Sequence, residues 1–564
     1  MGVIKRSRSL FFTTSPRSPK KLIPEISLLV NNFSGQMWSG NESLQEEFAR
    51  VLAEATTFEG DTSKKYTALS ARDRITRSPK GLGFVDLSPT IQLTEAGNAF
   101  IHGNRPQEIF LRQLLKFQIP SPYHTEGKKV KGTFWGRPYL EIIRLIRDLG
   151  HLTPDEFRIF ALQLTDYREY EKIKERIVAF RADKAQHKGH YKRFVDNVTN
   201  QEIATIYAAE IKSGDIATRE SKTNDVKSFI SKEKRNMRDY ADACFRYFRF
   251  TEMFVSDGKS IQIAPDKIPE IDFILETVPR EPMYIDDVGA FKAYLFDSKQ
   301  PVLYTDNREN LENTLMRFFS YSKRELLGKT IDELKDLRDT AIQKRHADII
   351  KQQTEDLKSY ALYQEVIDTY NEILSDEIYD APLFLEWNTW RAMTMLDGGT
   401  IKGNFKIDDS GRPTSTAQGN MPDIECDYGT FALSVEVTLQ RGQRQYEAEG
   451  EPVTRHYAQL QKAVGKTTYC LFIAPSINKA TWAHFFGLNQ IKNIAAYGGK
   501  PKIIPLELDS FMRLIENSYS SDGIPTPQDV QTFLQTAIDE IENSVDENDW
   551  SDRISSYINS WLVA

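Results

Sequence analysis

Hydrophobic and polar positions follow different periods in different parts of the chain. In the N-terminal half, apolar residues recur every three or four positions, as in residues 41–57 and in YLEIIRLIRDLG at 139–150, which predicts amphipathic helices. A long helix is also predicted at 231–250. Two short stretches, 83–93 and 253–265, surround the turn pairs Ser-Pro and Asp-Gly, which predicts β-hairpins.

The order of these elements indicates a DNA-binding architecture. Each predicted hairpin follows a helical stretch, and helices followed by a hairpin are the parts of a winged-helix module, a relative of the helix-turn-helix. Residues 1–275 are therefore predicted as a mainly helical recognition region that holds two winged-helix-like subdomains. Thr94 is predicted to begin a short helix with Glu95 in its first turn.

The segment from Lys329 to Ala381 contains neither glycine nor proline, and its charges alternate in sign. This pattern predicts one or two long, solvent-exposed helices that act as a semi-rigid spacer. Coiled-coil self-association remains an alternative, although the heptad pattern is imperfect. We expect residues 276–380 to form a mostly helical linker.

The C-terminal part alternates helices and strands. Helices are predicted at 383–396, near 452–463 and at 477–488, and strands near 424–428, 430–439, 469–475 and 502–508. Together they predict a small α/β domain at 381–564, built on a central mixed sheet. With 564 residues, the whole chain is expected to divide into roughly three or four domains.

One predicted strand carries an acidic residue among apolar ones. Along 430–439, period-2 geometry places Glu436 on the face opposite Leu433, Val435 and Val437. Asp423 follows a proline on the preceding strand, so a hairpin would bring both carboxylates together. Two such carboxylates repel each other, and a divalent cation is the usual way to hold both ionised. Ligands that are all oxygen indicate Mg²⁺ rather than zinc.

The net charge of −7 conceals an asymmetry between the two halves of the chain. Residues 1–275 carry 44 Lys+Arg against 35 Asp+Glu, and the remainder carries 29 against 45. A net-positive half suggests contact with a polyanion, although chance clustering on solvated faces is the alternative. The candidate DNA-binding residues are Arg17, Lys20, Arg72, Arg74, Arg77, Arg235, Arg238, Arg246 and Arg249. Internal pairing with neighbours such as Asp73 and Asp239 is the competing interpretation.

Several classes of protein are disfavoured. Three widely spaced cysteines, Cys244, Cys426 and Cys470, fit neither a disulfide framework nor a zinc site, and indicate a reducing compartment. No apolar run is long enough to span a membrane, and the apolar stretch near the N-terminus is too short for a signal peptide. We expect a cytoplasmic, prokaryotic protein.

Longer motifs carry a family resemblance. FLEWNTW, GNMPDIE, VEVTLQRG and EGEPVTRHY resemble the cleavage domain of the AlwI-like type IIS restriction endonucleases and their strand-nicking relatives, most closely the branch that reads GAGTC-type sites. TSPRSPKKLIPEI, SARDRI, LTEAGNAFIHGNRPQEIFLRQLLKFQIPS and RNMRDYADACFRYFRFT resemble that family's recognition domain. The resemblance covers most of the chain and is weakest at 280–380.

The resemblance implies a PD-(D/E)XK nuclease domain. Carried over residue by residue, the catalytic set falls on Glu386, Asp423, Glu436, Glu449 and His456, with Asp423 and Glu436 as ligands of Mg²⁺. Thr438 stands where the family pattern has a lysine, so His456, Arg444 or a second metal must help to activate the attacking water. Because Pro452 lies between Glu449 and His456, we expect their helix to begin later than Glu449.

The implied function is a type IIS endonuclease that binds a short asymmetric duplex site and cuts a few base pairs outside it. One centre cuts one strand, so a double-strand break requires transient homodimerisation or a separate small subunit. A companion DNA methyltransferase is expected. The alternatives are a strand-specific nicking endonuclease, the large subunit of a heterodimeric enzyme and, more remotely, a winged-helix regulator with an inactive nuclease-like domain.

Overall fold

The computed structural model describes residues 8–10, 12–55, 67–123, 134–217, 225–396, 398–417, 421–521 and 525–563. Two sequence predictions fall partly outside these residues. They are residues 56–57 of the first predicted helix, and Gly419 and Asn420 of the motif GNMPDIE. The chain divides into two compact units. One comprises Met1–Val255 and Ser260–Asp339, and the other comprises Ser256–Lys259 and Thr340–Ala564.

This division differs from the predicted boundaries at 275/276 and 380/381. Residues 276–339 belong to the first unit and residues 340–380 to the second. The physical reason is burial of apolar side chains in the segment that was predicted as a solvated spacer. Leu334 is buried in a cluster with Leu311 and Leu315, and Leu357 is buried in the core of the second unit.

The first unit is mostly helical. Its α-helices are Leu22–Phe33, Glu42–Glu54, Thr67–Thr76, Ser78–Gly81, Glu95–His102, Pro106–Lys116, Pro138–Leu149, Pro154–Ile159, Tyr170–Gln186, Tyr191–Ile206, Ala208–Ser213, Val226–Phe250, Ile268–Thr277, Val288–Phe296, Arg308–Phe319, Lys323–Leu326 and the start of Ile331–Lys358. Its 3-10 turns are Pro19–Lys21, Ala161–Gln163, Tyr167–Glu169, Pro265–Lys267 and Tyr304–Asp306.

Two antiparallel hairpins interrupt these helices. The first pairs β1 (Val85–Asp86) with β2 (Gln92–Leu93), and the second pairs β3 (Phe254–Ser256) with β4 (Ile261–Ile263). Both hairpins follow helices, as the sequence predicts. The oxygen of Thr94 caps the helix Glu95–His102 by accepting a hydrogen bond from Gly97 N at 2.9 Å. This cap fixes the angle at which the chain leaves the first hairpin.

An aromatic cluster joins the two helix–hairpin regions of the first unit. The ring of Phe84, at the base of the first hairpin, stacks on Phe100 at 4.3 Å between centroids, and on Phe110 at 6.2 Å. Phe110 in turn meets Tyr247 and Phe250, on the helix before the second hairpin. The two regions therefore share one core, whereas the sequence was interpreted as two subdomains.

The second unit contains the mixed sheet. Its α-helices are the rest of Ile331–Lys358, Tyr363–Leu374, Ala381–Met395, Gln443–Val464, Lys479–Gln490, Leu508–Ser520, Pro527–Asn543 and Glu547–Ser560, with a 3-10 turn at Ala495–Tyr497. Its strands are β5 (Thr400–Gly403), β6 (Lys406–Ile407), β7 (Pro413–Ser415), β8 (Ile424–Asp427), β9 (Phe431–Val437), β10 (Thr467–Ala474) and β11 (Ile503–Glu507).

Five strands form the main sheet in the order β11-β10-β9-β8-β5, and β6 and β7 form a separate hairpin. β9 pairs antiparallel with β8 and parallel with β10. It lies at the centre of the sheet, and its first six residues are all buried. Layers therefore cover both faces of β9, and the charged residue on it, Glu436, is only 7% exposed.

One sequence prediction about this unit was wrong. The helix Gln443–Val464 begins nine residues before Pro452 and carries this proline inside it, whereas we expected a start near Pro452. An interior proline removes one backbone hydrogen bond, and its ring crowds the carbonyl four residues earlier, but the helix continues through Pro452. As a result, Glu449 and His456 lie on one helix.

All three cysteines are free and buried. In the part of the chain that the structure describes, no helix combines the length and the apolar character that crossing a membrane requires.

Candidate active site

Asp423 and Glu436 face each other across two antiparallel strands. Ile424 of β8 pairs with Val435 of β9, so one further step of the same register sets Asp423 opposite Glu436. Side chains at directly opposed positions are about 4.5–5.5 Å apart at Cβ. The pairing that the sequence predicted for these two carboxylates is thus a consequence of strand register.

Backbone contacts hold Asp423 at the end of β8. Its Oδ2 accepts a hydrogen bond of 2.8 Å from Val437 N, next to Glu436. Its own carbonyl accepts a hydrogen bond from Asn404 N at 3.0 Å, and the amide of Asn404 donates to Pro422 O at 2.8 Å. Sequence reasoning missed Asn404, because no pattern marks an asparagine that acts through backbone atoms nineteen positions away.

His456 reaches the site from the helix Gln443–Val464. Its Nδ1 lies 2.9 Å from Oε1 of Glu436, and the tautomer decides which atom donates. Its other ring nitrogen, Nε2, is buried and has no hydrogen-bond partner among the described residues. Glu449 lies seven positions earlier, two helical turns away, and thus on the same side of the helix.

Glu386 approaches from the helix Ala381–Met395 and is 9% exposed. Its Oε2 accepts a hydrogen bond of 3.0 Å from Ala417 N, which precedes the Pro-Asp motif. The charge of Glu386 acts on Glu436, whose pKa it raises. The helix before the sheet therefore contributes a carboxylate to the same acidic site.

The acidic residues of this site strongly perturb one another. Burial and the charge of Glu436 raise the pKa of Asp423 well above its ordinary value, opposed by the Val437 N–H. Burial and the charges of Glu449 and Glu386 raise the pKa of Glu436, opposed by Arg455. The site thus brings four carboxylates together, and the guanidinium of Arg455 is the nearby positive charge that opposes them.

His456 does not supply a compensating charge. Burial, followed by the charge of Arg455, lowers the pKa of His456 to about 4, against the opposing effect of Glu451 and Glu449. The imidazole is therefore neutral near pH 7, and its contact with Glu436 is a hydrogen bond rather than an ion pair. The sequence analysis did not select Arg455. It is adjacent to His456, and neighbouring positions on a helix project in different directions, so the two were not expected at one site.

Arg444, one of the candidates for the missing lysine, is exposed near the start of its helix. Thr438, at the lysine position itself, is 8% exposed, and its Oγ1 accepts a hydrogen bond from Gln440 N at 3.1 Å. A threonine hydroxyl carries no positive charge, so Thr438 does not replace the charge of the lysine. Among the described residues, Arg455 and His456 are the basic side chains with a direct effect on Glu436.

The donor set fits Mg²⁺. Buried carboxylates that repel each other bind a hard dication well, and Mg²⁺ keeps several waters while it binds one or two protein carboxylates. Within the described residues, no group of three or more His, Cys, Asp or Glu side chains forms a ready metal cage. Asp423 and Glu436 would hold the ion and leave its other positions to water and phosphate.

The candidate DNA-binding arginines fall into two groups. Arg74 donates from Nε to Oε2 of Glu25 at 2.8 Å and from Nη2 to Oε1, and the Glu25 side chain is fully buried. Arg249 is 5% exposed, because the last turns of its helix pack into the core. In this structure Arg74 and Arg249 are internal, as the competing interpretation anticipated.

The remaining candidates lie at the surface or partly exposed. Arg17 pairs with Asp239 at 2.7 Å, Arg77 with Asp73 at 3.3 Å, and Arg246 with Asp242 at 3.0 Å. Arg72 makes a longer contact of 3.8 Å with Asp73, and Lys20 is partly buried. Arg235 and Arg238 are exposed.

These residues share one region of the first unit. Arg235, Arg238, Asp242 and Arg246 recur at three- and four-residue spacing on the helix Val226–Phe250, so they lie along one side of it. Asp239, between them, holds Arg17. The Arg77 guanidinium donates to Thr14 Oγ1 at 3.5 Å. Burial raises the pKa of Tyr240, on the same long helix, and the charge of Arg77 opposes that rise.

The family model described as AlwI restriction endonuclease matches residues 80–514. The chain belongs to the AlwI restriction endonuclease family. This confirms the resemblance drawn from the sequence motifs, and it makes the protein a member of a family of nucleases. The match includes all five residues of the candidate catalytic set and both strands that carry Asp423 and Glu436.

Two solved structures are also similar. The small subunit, R.BspD6I2, of the heterodimeric restriction endonuclease R.BspD6I is 26% identical over 36% of this chain and 100% of its own, with a TM-score of 0.30. The BpuJ1 endonuclease binding domain, solved with pyrene- and phenanthrene-modified DNA, is 14% identical over 50% of this chain and 92% of its own, with a TM-score of 0.31. No curated protein matches the chain significantly. The family assignment rests on the family model alone.

Proposed function

We propose that the protein is a Mg²⁺-dependent, site-specific DNA endonuclease of type IIS. Its second unit, a PD-(D/E)XK-type domain, would cut a phosphodiester a few base pairs outside the site that the first unit binds. The single observation that carries this proposal is the acidic site, where the register of β8 and β9 sets Asp423 opposite Glu436, and where burial and the charge of Glu436 raise the pKa of Asp423. Membership of a restriction endonuclease family supplies the reaction class.

Each side chain has a distinct proposed role. Asp423 and Glu436 bind Mg²⁺, and Val437 N and His456 Nδ1 fix the orientation of these two carboxylates. When bound, the ion stabilises charge on the scissile phosphate and lowers the pKa of a water. A pKa near 4 makes His456 a weak base, so we assign it the positioning of Glu436.

The carboxylates that remain, Glu386 and Glu449, act on the attacking water. Glu449 shares its helix face with His456, and its charge adds to the effect of burial in raising the pKa of both Asp423 and Glu436. We therefore propose that Glu449 accepts the proton from the water. Glu386, fixed by Ala417 N, orients that water. The lysine of the family pattern is thus replaced by a carboxylate acceptor and by the guanidinium of Arg455.

The first unit supplies recognition in this proposal. Its net-positive composition and the arginines at the surface of the helix Val226–Phe250 suit the DNA backbone, with phosphate contacts giving position and base contacts giving specificity. The element order of helices followed by a short hairpin supports a winged-helix mode of binding. Because recognition and cleavage reside in separate units, the cut is expected outside the recognised bases.

The second candidate is a strand-specific nicking endonuclease. One acidic site hydrolyses one strand, so cutting both strands requires a second centre, from a transient homodimer or a separate small subunit. A host that carries such an enzyme also requires a companion DNA methyltransferase to protect its own sites. A winged-helix regulator with an inactive nuclease-like domain is disfavoured, since the buried carboxylates Glu386 and Glu436, next to the partly buried Asp423 and Glu449, are costly to retain without a function.

Digestion of supercoiled plasmid tests the proposal. With Mg²⁺, the wild-type protein is expected to give discrete products at defined sites: linear DNA for paired centres and open circles for a nicking enzyme. The Asp423→Asn variant serves as the control, because it keeps the size of the side chain and removes its charge. Unchanged plasmid with the wild-type protein across Mg²⁺ and Mn²⁺ would overturn the assignment.

A further inference from the structure

A groove of about 670 Å³ opens on the first unit. Arg72 and Thr76 of the helix Thr67–Thr76 line it, as does Ser88 in the turn of the first hairpin. Trp38, 2% exposed, also lines it. The groove is thus shared by a short helix and the hairpin that follows it.

The groove concentrates positive charge from three separate parts of the chain. Arg72, Lys80 and Lys292 line it, and Glu42 is the single acidic residue among its described lining residues. Arg72 is 45% exposed, and its contact with Asp73 is long at 3.8 Å. Cations brought together from distant sequence positions repel one another, and an anion in the groove relieves that repulsion.

Aromatic and polar contacts set the positions of two of these amines. The Nζ atoms of Lys80 and Lys292 lie 5.1 and 5.2 Å from the ring centroid of Tyr123. Lys292 also pairs with Asp86 at 2.6 Å, and the hydroxyl of Tyr123 donates to the same carboxylate at 3.0 Å. One tyrosine therefore holds two ammonium groups at the groove, a preorganised arrangement rather than two freely moving side chains.

The N-terminal end of the helix Glu42–Glu54 opens on the same groove, through Gly40 and Glu42. The first N–H groups of a helix favour an anion. The cationic side chains and the helix end line one open groove. A polyanion that passes along the surface matches its charge and its openness to solvent.

We infer that this groove binds the phosphodiester backbone of one strand of the duplex, with Lys80 and Lys292 as phosphate contacts held by Tyr123. This inference rests on the proposed function, because it assumes that the first unit binds DNA. It adds contact residues to the arginines of the helix Val226–Phe250, since none of the described residues of that helix lines the groove. The groove would contribute affinity for any sequence, since amines that contact phosphate do not read bases.

Salt dependence of binding tests the inference in the full-length protein. Affinity for a cognate and a scrambled duplex is measured between 50 and 200 mM salt for the wild type, Lys80→Gln, Lys292→Gln and the double variant. Each lost phosphate contact lowers the salt slope by about 0.9, which makes the affinity loss over this range about threefold smaller. Lys172→Gln, an exposed lysine on the helix Tyr170–Gln186, is the matched control.

A second variant separates DNA contact from a structural role of Lys292. Asp86→Asn keeps an acceptor for Tyr123 and removes the negative charge that Lys292 now meets. If the groove binds phosphate, this variant binds both duplexes more tightly with a steeper salt slope, opposite to Lys292→Gln. If Lys292 only anchors the hairpin, both variants weaken binding with an unchanged slope, and the inference fails.

The failure of the groove and the failure of the proposed function give different results. Suppose that the wild-type protein cuts plasmid and binds duplex, and that the double variant has the same salt slope as the wild type. The inference about the groove is then wrong, and the proposed function is unaffected. A wild-type protein that neither binds nor cuts DNA overturns the proposed function, and the inference with it. We expect both duplexes to lose at least about tenfold in affinity at 50 mM salt in the double variant.

Discussion

Nδ1 of His456 lies 2.9 Å from Oε1 of Glu436, and this contact joins a helix to the central strand of the sheet. A proline inside that helix does not prevent the contact, since Glu449 and His456 remain on one helical side. Because burial keeps the imidazole neutral, the histidine orients the carboxylate without neutralising it. His456 therefore does not offset the negative charge of the site.

Removing either proposed metal ligand should abolish cleavage and spare recognition. We expect Asp423→Asn and Glu436→Gln to lose at least about a hundredfold in cleavage rate, while the affinity for cognate duplex stays within about twofold of wild type. Plasmid digestion and gel-shift titration measure the two properties side by side. Glu447→Gln, an exposed carboxylate on the same helix as His456, controls for loss of charge; normal cleavage by either ligand variant contradicts the site.

The same substitutions should stabilise the metal-free protein. The raised pKa values of Asp423 and Glu436 mean that the folded state binds more protons than the unfolded state above about pH 4. The stability of the metal-free protein therefore falls as the pH rises from that value toward the folded-state pKa. In EDTA at pH 8, Glu436→Gln should raise the Tm of the second unit by at least about 2 °C.

Addition of Mg²⁺ provides the counterpart to this stability measurement. The ion should raise the Tm of the wild type and have little effect on Glu436→Gln, since a ligand stabilises the state that binds it. Thermal unfolding at pH 6 and pH 8, with and without Mg²⁺, gives four Tm values for each protein. Equal Mg²⁺ stabilisation of both proteins would place the metal elsewhere.

Loss of Arg74 should destabilise the first unit. Its partner Glu25 is buried and keeps a raised pKa even with Arg74 present, so an uncompensated buried carboxyl remains in Arg74→Ala. Breaking a buried pair in this way costs about 3–5 kcal/mol. Urea denaturation followed by tryptophan fluorescence measures the change, and Arg235→Ala, at an exposed position, should leave stability unaltered.

Arg235 and Arg238 are the candidates for base contacts that remain most accessible. A bidentate arginine–guanine contact discriminates by about 1–3 kcal/mol, so at least one of Arg72, Arg235 and Arg238 should lose cognate affinity selectively when changed to alanine. Titration of each variant with cognate and single-base-changed duplexes at one salt concentration measures this. Equal losses for all duplexes in all three variants would assign them to phosphate.

The position of the unit boundary predicts how the chain can be truncated. A fragment ending at Lys329 lacks the buried Leu334 and also Lys335, which donates to Glu108 at 2.7 Å. A fragment ending at Gln343 keeps both. We expect the longer fragment to unfold cooperatively and to bind cognate duplex without cutting it, and the shorter one to have a lower Tm by circular dichroism.

The local pattern of the sequence was sufficient for the two hairpins of the first unit, for the strands β8 to β11 and for the pairing of Asp423 with Glu436, because strand periodicity and turn residues are local properties. The short strands β5, β6 and β7 were not predicted. The aromatic contact between Phe110 and Tyr247 depends on packing across more than 130 positions, and no local pattern encodes it. The same holds for Arg74: its neighbour Asp73 suggested a local pair, whereas the actual partner is Glu25, 49 positions away.

The central position of β9 affects how the enzyme would be inactivated by heat. Both edges of this strand are paired and its interior is enclosed, so its amide protons should exchange with solvent only when the whole second unit unfolds. Glu436 is part of this strand, and β9 holds Asp423 through a backbone amide. Thermal inactivation should therefore be abrupt and coincide with global unfolding, rather than develop gradually through fraying of the ends.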